Sequence, residues 1–440
     1  MERRIAVIGA GAAGLAAAWR LAERGARVTV YERRLEPGGR LRTDALDGAG
    51  FDAGAQLLAS NYSATFALAR AAGVSELLQR APGRDAVWRR GKPHILTYGS
   101  VASMITSTAL PATLKLRLGA RYLPFLARHP VDLHGLLNTG GPALDDESIA
   151  QWGERELGAD FVDLLAYPLL GAYYGSPPEA TSAAIYHALA RVGLEVSVYA
   201  VRGGMAALAQ GIAGKLAARN VKVEYGRAVE ALSANESGVS VTASANPDGF
   251  DAAVVAVPAP EARRLLDGTQ ATEWLGGVRT AATVSLALLL DRPMAGDYFG
   301  LSVPRSEHEI RDIVAVCRQS RKLSGLVPAG REVLVILPAP SVSAELSALE
   351  PGAVLDRLMP SIERLWPGIR ALVQRARTTK FPEGYTLFYP GYLRHLKTLH
   401  DGLLPSNVAL AGDYLVAPTV EGATRSGEAA ADRVLARLTS

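Results

Sequence analysis

Gly9, Gly11 and Gly14, in the order Gly-x-Gly-x-x-Gly, are the first residues of this 440-residue chain whose types and spacing could do chemistry. A glycine at position 9 permits a sharp turn, one at 11 lets backbone N–H groups approach a pyrophosphate, and one at 14 lets a helix pack on a strand with no side chain between them. Ala12 and Ala13 would open that helix, whose N-terminal partial positive charge favours phosphate. Glu32 follows about twenty residues later, where a dinucleotide fold places an acid that accepts from ribose hydroxyls. Beyond it, Arg33 leads into a second glycine turn, Gly38-Gly39, with Arg40 immediately after. A cation beside backbone amides suits a diphosphate. The chemistry implied is the binding of a dinucleotide.

Elements must hold these groups in place. Ile5-Ala6-Val7-Ile8 is an apolar run that reads as a buried strand, the Ala/Leu-rich stretch after the glycines reads as a helix, and Arg27-Val28-Thr29-Val30-Tyr31 reads as a second strand. Together they make a βαβ unit. Met1-Glu2-Arg3-Arg4 before an apolar run has the outline of a secretory signal, but cleavage would cut the glycine motif and orphan Glu32. The segment is therefore expected to belong to the mature fold.

The length suggests two or three domains. With 49% hydrophobic and 20% charged residues the composition is globular, and no apolar run reaches the length of a membrane-spanning helix. A net charge of +4 is small against 47 basic and 43 acidic residues, so nucleic-acid binding is not indicated. A single cysteine, Cys317, excludes an internal disulfide and a thiolate metal cluster. The seven histidines give no metal-ligand set: His129 and His134, like His395 and His400, are five apart, the wrong spacing for one helical face.

Phe51-Asp52-Ala53-Gly54-Ala55-Gln56 extends the pattern. Taken with the segment from Gly9 to Glu32 and with Gly38-Gly39-Arg40, it resembles the FAD-binding opening of the superfamily of flavin amine oxidases, protoporphyrinogen oxidases and phytoene-type desaturases. Tyr167-Pro-Leu-Leu-Gly171-Ala-Tyr173-Tyr174-Gly175-Ser176-Pro177, followed by Ser182, resembles the protoporphyrinogen oxidase segment that borders substrate and flavin, with Ser176 where that family usually has an acid. Near the end, Gly412-Asp413-Tyr414 and Thr419-Val420-Glu421-Gly422-Ala423 resemble the superfamily's closing flavin motif. Carried over, the resemblance implies that Asp413 meets the ribityl chain, that the backbone at Gly422 and Ala423, with Glu421, meets the isoalloxazine edge, and that Val229 lies near the adenine. A helix N-terminus at that edge would stabilise the charge of a reduced flavin.

The fold class expected is α/β: a discontinuous Rossmann-type FAD-binding domain (residues 1–80, 196–260 and 401–440), an α+β substrate domain (261–400) with a mostly antiparallel sheet, and a helical insertion (81–195). Residues 101–129, where leucines and alanines alternate with Lys115, Arg117, Arg121 and Arg128, read as an amphipathic helix pair, with contact to a membrane surface or a lid as the alternatives. Residues 381–391 supply aromatics beside turn residues, which line the site or pack the core.

The resemblance implies an FAD-dependent oxidoreductase that dehydrogenates an apolar cyclic or polyene substrate, most like a protoporphyrinogen oxidase. Gly48-x-Gly50 lacks a flanking strand and helix, so no NAD(P)H site is expected and electrons would pass to oxygen, a quinone or another carrier. Monoamine oxidases usually carry a lysine on the strand that here spans residues 283–290, which has none, and the closing motif lacks their flavin-tethering cysteine. FAD is therefore expected to be noncovalent. Such chemistry relies on positioning, and Gly171, Tyr173, Gly175, Gln56 and Tyr389 are the residues expected to supply it. The alternatives are a flavin amine oxidase or carotenoid-type desaturase, and a non-redox flavoprotein such as an isomerase. The expected location is the cytoplasm or the membrane surface.

Overall fold

The computed structural model describes residues 3–97, 100–244 and 246–439; Met1 and Glu2 of the signal-like start lie outside them. Its first layer is a parallel five-stranded sheet in the order Val221–Tyr225, Arg27–Glu32, Arg4–Ile8, Ala252–Val255, Val408–Leu410. Ile5, Val7, Val30, Ala252 and Val254 are fully buried, as parallel strands covered on both faces require. Helix Ala12–Glu23 packs against the closing helix Val420–Thr439. A Cβ on Gly427 would lie 2.0 Å from the Ala13 carbonyl oxygen, so only glycine allows that crossing.

The second layer is a seven-stranded sheet in the order Val373–Leu387, Arg279–Leu290, Glu332–Pro338, Ile313–Arg318, Gly300–Ser302, Arg84–Arg89, Lys92–Thr97. Every pairing is antiparallel except that between Gly300–Ser302 and Arg84–Arg89. Alternation along Arg279–Leu290 divides its faces. Val284, Leu286, Leu288 and Leu290 join the core beneath helix Pro351–Leu365, whereas Ala287 and Leu289 pack with Phe51, Phe299, Val333 and Val335.

Two segments differ from the sequence reading. The hairpin Arg84–Arg89 and Lys92–Thr97 sits in the seven-stranded sheet, so helices begin only at Val101–Thr106. Its turn is Arg90-Gly91, with φ of 55° and 75°, the left-handed pair that matches the twist of a tight hairpin. Residues 381–387 continue the strand Val373–Leu387. Pro382 is tolerated because the strand lies at the sheet edge and its pairing skips a register between Ala281 and Thr283.

Helices Val101–Thr106, Ala112–Arg117 and Leu123–Arg128 then lead into a buried aromatic cluster of Tyr122, Phe125, Trp152, Phe161 and Tyr186 around His187. Among the described residues no helix is long and apolar enough to cross a membrane.

Candidate active site

A cavity of about 370 Å³ runs between the two sheets. Gly9, Gly11, Ala12, Ala13, Glu32, Arg33, Gly39 and Arg40 line it, with Val229, Gly412, Asp413 and Ala423 from distant parts of the chain. Each glycine of the first motif has its own task. Gly9 has φ +100° and Gly14 lies so close to Gly9 that a Cβ would come 1.8 Å from its carbonyl oxygen, while a Cβ on Gly11 would meet nothing within 4 Å. Gly11 therefore leaves open space where the first two pack the turn. Gly14, accordingly, does not line the cavity. The second glycine turn is pinned to the first by the Gly38 N–H, which donates to the Ala10 carbonyl at 2.8 Å. No side chain caps helix Ala12–Glu23 at Gly11, so its first-turn donors are available to an anion.

Glu32 is 6% exposed; Oε2 accepts from the Ala10 N–H at 2.8 Å and Oε1 from the Arg34 N–H at 2.9 Å. Each oxygen keeps a second acceptor site for a hydroxyl. Arg40 and Asp413 form a bidentate pair, Nη1 to Oδ2 and Nη2 to Oδ1, both 2.8 Å. Burial opposes the Arg40 charge, but the Asp413 carboxylate outweighs it and holds the guanidinium above its ordinary pKa.

At the closing helix the expected contacts shift. Thr419 Oγ1 accepts from the Gly422 N–H at 2.9 Å, and the Thr419 carbonyl from the Ala423 N–H at 3.0 Å. Those two donors are spent within the helix start, and Gly422 is not part of the cavity wall, which Thr419, Val420 and Ala423 supply instead. Glu421 faces away: fully buried, it accepts from the N–H groups of Ala64 and Thr65, both at 2.9 Å, and from Arg425 Nε at 2.7 Å. It thereby caps helix Ser63–Ala71. Burial pushes its pKa up, but these donors outweigh burial and hold it below its ordinary value.

The expected positioning residues divide as well. Tyr173 lines the cavity and its hydroxyl donates to Asp85 Oδ2 at 3.4 Å. Gln56 lines it too, yet its polar atoms turn inward: Nε2 donates to the carbonyls of Asp52 at 2.5 Å and Gly54 at 3.3 Å, and Oε1 accepts from Gln319 Nε2 at 3.0 Å and Lys322 Nζ at 3.5 Å. Gly171 and Gly175 do not line it. Gly171 lies under Val314, and Gly175, φ +56°, ends helix Tyr167–Tyr174 with the ring of Tyr385, a cavity residue, where a Cβ would be. Ser176 bonds Thr181, Oγ to Oγ1, at 2.7 Å. Tyr389 lies outside the cavity wall; its hydroxyl donates to the Gly277 carbonyl at 2.8 Å and Arg279 stacks on its ring at 4.1 Å.

Sequence reasoning missed Tyr62, Ser285, Leu337 and Tyr385, which line the cavity, and His134 behind Thr419, the cavity residue that opens the closing motif already marked. His134 Nε2 meets Thr419 Oγ1 at 3.1 Å, and burial pushes its pKa down to about 4, against the opposing pull of Glu421. Only Tyr385 stood within a run already marked by its aromatics; Ser285 is hidden in an apolar strand.

An FAD would find on this wall Glu32 for the ribose, the uncapped helix end and both glycine turns for the diphosphate, and Asp413 for the ribityl hydroxyls, with Thr419, Val420 and Ala423, not the spent N–H groups of Gly422 and Ala423, at the closing helix. Comparison with known proteins agrees. Residues 12–435 match the family model of flavin containing amine oxidoreductases. Protoporphyrinogen oxidase 2 of Arabidopsis thaliana is 29% identical over 182 residues, which span 41% of this chain but only 34% of that protein. Hydroxyneurosporene desaturase of Rubrivivax gelatinosus is 27% identical across 99% of this chain and 94% of its own length. The solved cyclohexylamine oxidase of Brevibacterium oxydans IH-35A superposes with a TM-score of 0.75 at 18% identity, covering all of both chains. A family match from residue 12, at the start of the first helix, to residue 435 in the last, on a cavity whose wall suits FAD, makes this chain a member of the flavin containing amine oxidoreductase family, an FAD-dependent oxidoreductase.

Proposed function

We propose that this oxidoreductase dehydrogenates an apolar cyclic or polyene substrate, as a protoporphyrinogen oxidase or a desaturase does, and passes the electrons to oxygen or another acceptor. The observation that carries the reading is the strand Arg279–Leu290, which brings Thr283 and Ser285, and no lysine of its own, to a wall that includes Leu57, Ala172, Leu337 and Phe381; the lysine of that wall, Lys380, stands on the neighbouring strand, across from Val284. When bound, FAD supplies the hydride acceptor. The chain's own residues supply orientation: aromatic and aliphatic side chains enclose the substrate and exclude water, and the Arg40–Asp413 pair fixes the wall beside them. The name of the Rubrivivax relative, a desaturase aligned over nearly the whole chain, also supports it.

The same proposal assigns residues 1–80, 196–260 and 401–440 to cofactor binding, 261–400 to the substrate and 81–195 to an insertion that opens with the hairpin Arg84–Arg89 and Lys92–Thr97 in the substrate sheet and has its first helix at Val101–Thr106. The cofactor is held without a covalent bond, because the one cysteine, Cys317, is buried outside the cavity wall. Acid precipitation should release all the flavin. Turnover in air with a porphyrinogen, a polyene and a primary amine, read by chromatography, tests the substrate class. A dehydrogenated porphyrinogen or polyene is expected. Deamination of the amine alone would favour an amine oxidase, and no product from any of the three would favour an isomerase.

A peripheral membrane location in the cytoplasm is part of the proposal. Val101, Ile105, Leu116 and Leu123 are exposed on helices that carry Lys115 and Arg128, with Arg121 in the helical turn Leu118–Tyr122 between the last two, a surface that matches an anionic bilayer. Flotation with anionic liposomes should recover the protein at low salt; no recovery at low or high salt would contradict it.

A further inference from the structure

One polar group on the cavity wall has no answer within the protein. Ser285 is 2% exposed, lines the cavity, and its hydroxyl has no hydrogen-bond partner among the described residues. Among the described residues, it alone of the buried side-chain polar atoms with no hydrogen bond belongs to a residue of the cavity wall. Its neighbour Thr283 donates to the Val284 carbonyl at 3.4 Å, a weak local contact that Ser285 lacks.

Position explains why the hydroxyl has nowhere else to turn. Val284 and Leu286 face the core under helix Pro351–Leu365, so alternation puts Ser285 on the opposite face, with Ala287 and Leu289. That face meets Phe381 and Leu337, both cavity residues without a polar side chain. The strand partner across from it, Thr379, is engaged elsewhere: its hydroxyl donates to Asp44 Oδ2 at 3.0 Å. Gln56, another neutral polar side chain of this wall, is saturated by Asp52, Gly54, Gln319 and Lys322. An alanine would suit the strand without burying an unpaired hydroxyl, and such a group costs free energy unless a ligand completes it.

We propose that Ser285 is a specificity-determining residue whose hydroxyl bonds an oxygen, hydroxyl or carbonyl, carried by the otherwise apolar substrate. It rests on the apolar-substrate reading and deepens it: the substrate is an oxygenated polyene or ring, not a bare hydrocarbon. A water bridging Ser285 to the cofactor would use the same hydrogen-bonding chemistry, and the test separates the two.

The test uses the FAD-loaded full chain and its Ser285→Ala and Ser285→Thr variants, titrated with farnesol and with farnesene, a matched isoprenoid alcohol and hydrocarbon, by perturbation of the flavin absorbance. Wild type should bind farnesol about tenfold or more tighter than farnesene. Ser285→Ala should bind farnesene as wild type does and lose the preference for the alcohol, Ser285→Thr should restore it, and the FAD dissociation constant should stay the same in all three. Equal affinity of wild type for both probes, or an unchanged preference in Ser285→Ala, would overturn the proposal and leave the apolar-substrate reading standing. A change in FAD affinity with the preference intact would move Ser285 to the cofactor. If neither probe perturbed the wild-type spectrum, the apolar-substrate reading would fall first, and this proposal with it.

Discussion

Arg40 and Asp413 are 373 residues apart in sequence and meet through two bonds of 2.8 Å on the cavity wall. A planar guanidinium can make both bonds at once and an ammonium cannot, so Arg40→Lys should weaken FAD binding about tenfold, read by flavin fluorescence; unchanged affinity would remove the pair from the cofactor site. Glu32→Gln tests the other end. An amide has one acceptor oxygen where the carboxylate uses two, both already taking backbone N–H groups, so FAD affinity should fall by about tenfold or more. Glu32 was legible because a strand end and a glycine motif fix where it must be. Glu421 was not. A carboxylate in the first turn of a helix reads the same whether it faces a ligand or, as it does, caps helix Ser63–Ala71. Gln56 misleads in the same way: its segment is visible in the sequence, but the Gln319 and Lys322 that saturate it lie more than 260 residues downstream.

Between elements, the first and last helices approach each other closely at Gly427. Gly427→Val would push a side chain into the Ala13 carbonyl, and overpacking of this kind costs about 1 to 3 kcal/mol. The denaturant midpoint should fall, by clearly more than for Gly193→Ala, where a Cβ meets nothing within 4 Å. A second test at this scale is His134, which joins the segment after the 101–128 helices to the start of the closing helix through Thr419. Its pKa is about 4 in the folded protein against an ordinary 6.5. Between those values the unfolded chain binds a proton that the folded one does not, so this contribution to stability is present above pH 6.5 and lost as pH falls toward 4. His134→Gln keeps a donor for Thr419 without the titration, and should lose less stability than wild type between pH 7 and 5; an equal loss would contradict the assignment. The βαβ unit was readable because its periodicity and glycines agree. The 84–97 hairpin was missed because its two-residue turn is Arg90-Gly91 and not one of the stronger turn pairs, and the 381–387 strand because Pro382 reads as a break that an edge position and a register skip absorb.

Across the whole molecule, a buried ion pair ties the hairpin Thr43–Leu46 and Ala49–Asp52 to the turn that follows strand Ile313–Arg318 of the seven-stranded sheet. Lys322 Nζ bonds Asp52 Oδ2, their side chains 1% and 0% exposed, and Asp52 Oδ1 also accepts from the Met205 N–H at 2.7 Å and Thr43 Oγ1 at 2.6 Å. Removing one partner leaves the other charge buried alone, so Lys322→Met should cost about 3 to 5 kcal/mol. The paired change Lys322→Met with Asp52→Asn should recover part of that, as chemical denaturation of the FAD-loaded protein would measure. Cofactor binding was legible because the segments whose types imply FAD, the glycine turns near the start and the closing motif near the end, have fixed spacings that the sequence displays directly. The substrate wall was not, since it draws single side chains from the strands Arg279–Leu290, Glu332–Pro338 and Val373–Leu387, whose convergence no local spacing encodes. The most direct test of the central claim is the visible absorption of the purified FAD-loaded protein during anaerobic titration with a porphyrinogen, a polyene and an amine. The flavin band should bleach stoichiometrically with the porphyrinogen or the polyene and stay unchanged with the amine; bleaching by the amine alone, or by none of them, would contradict it.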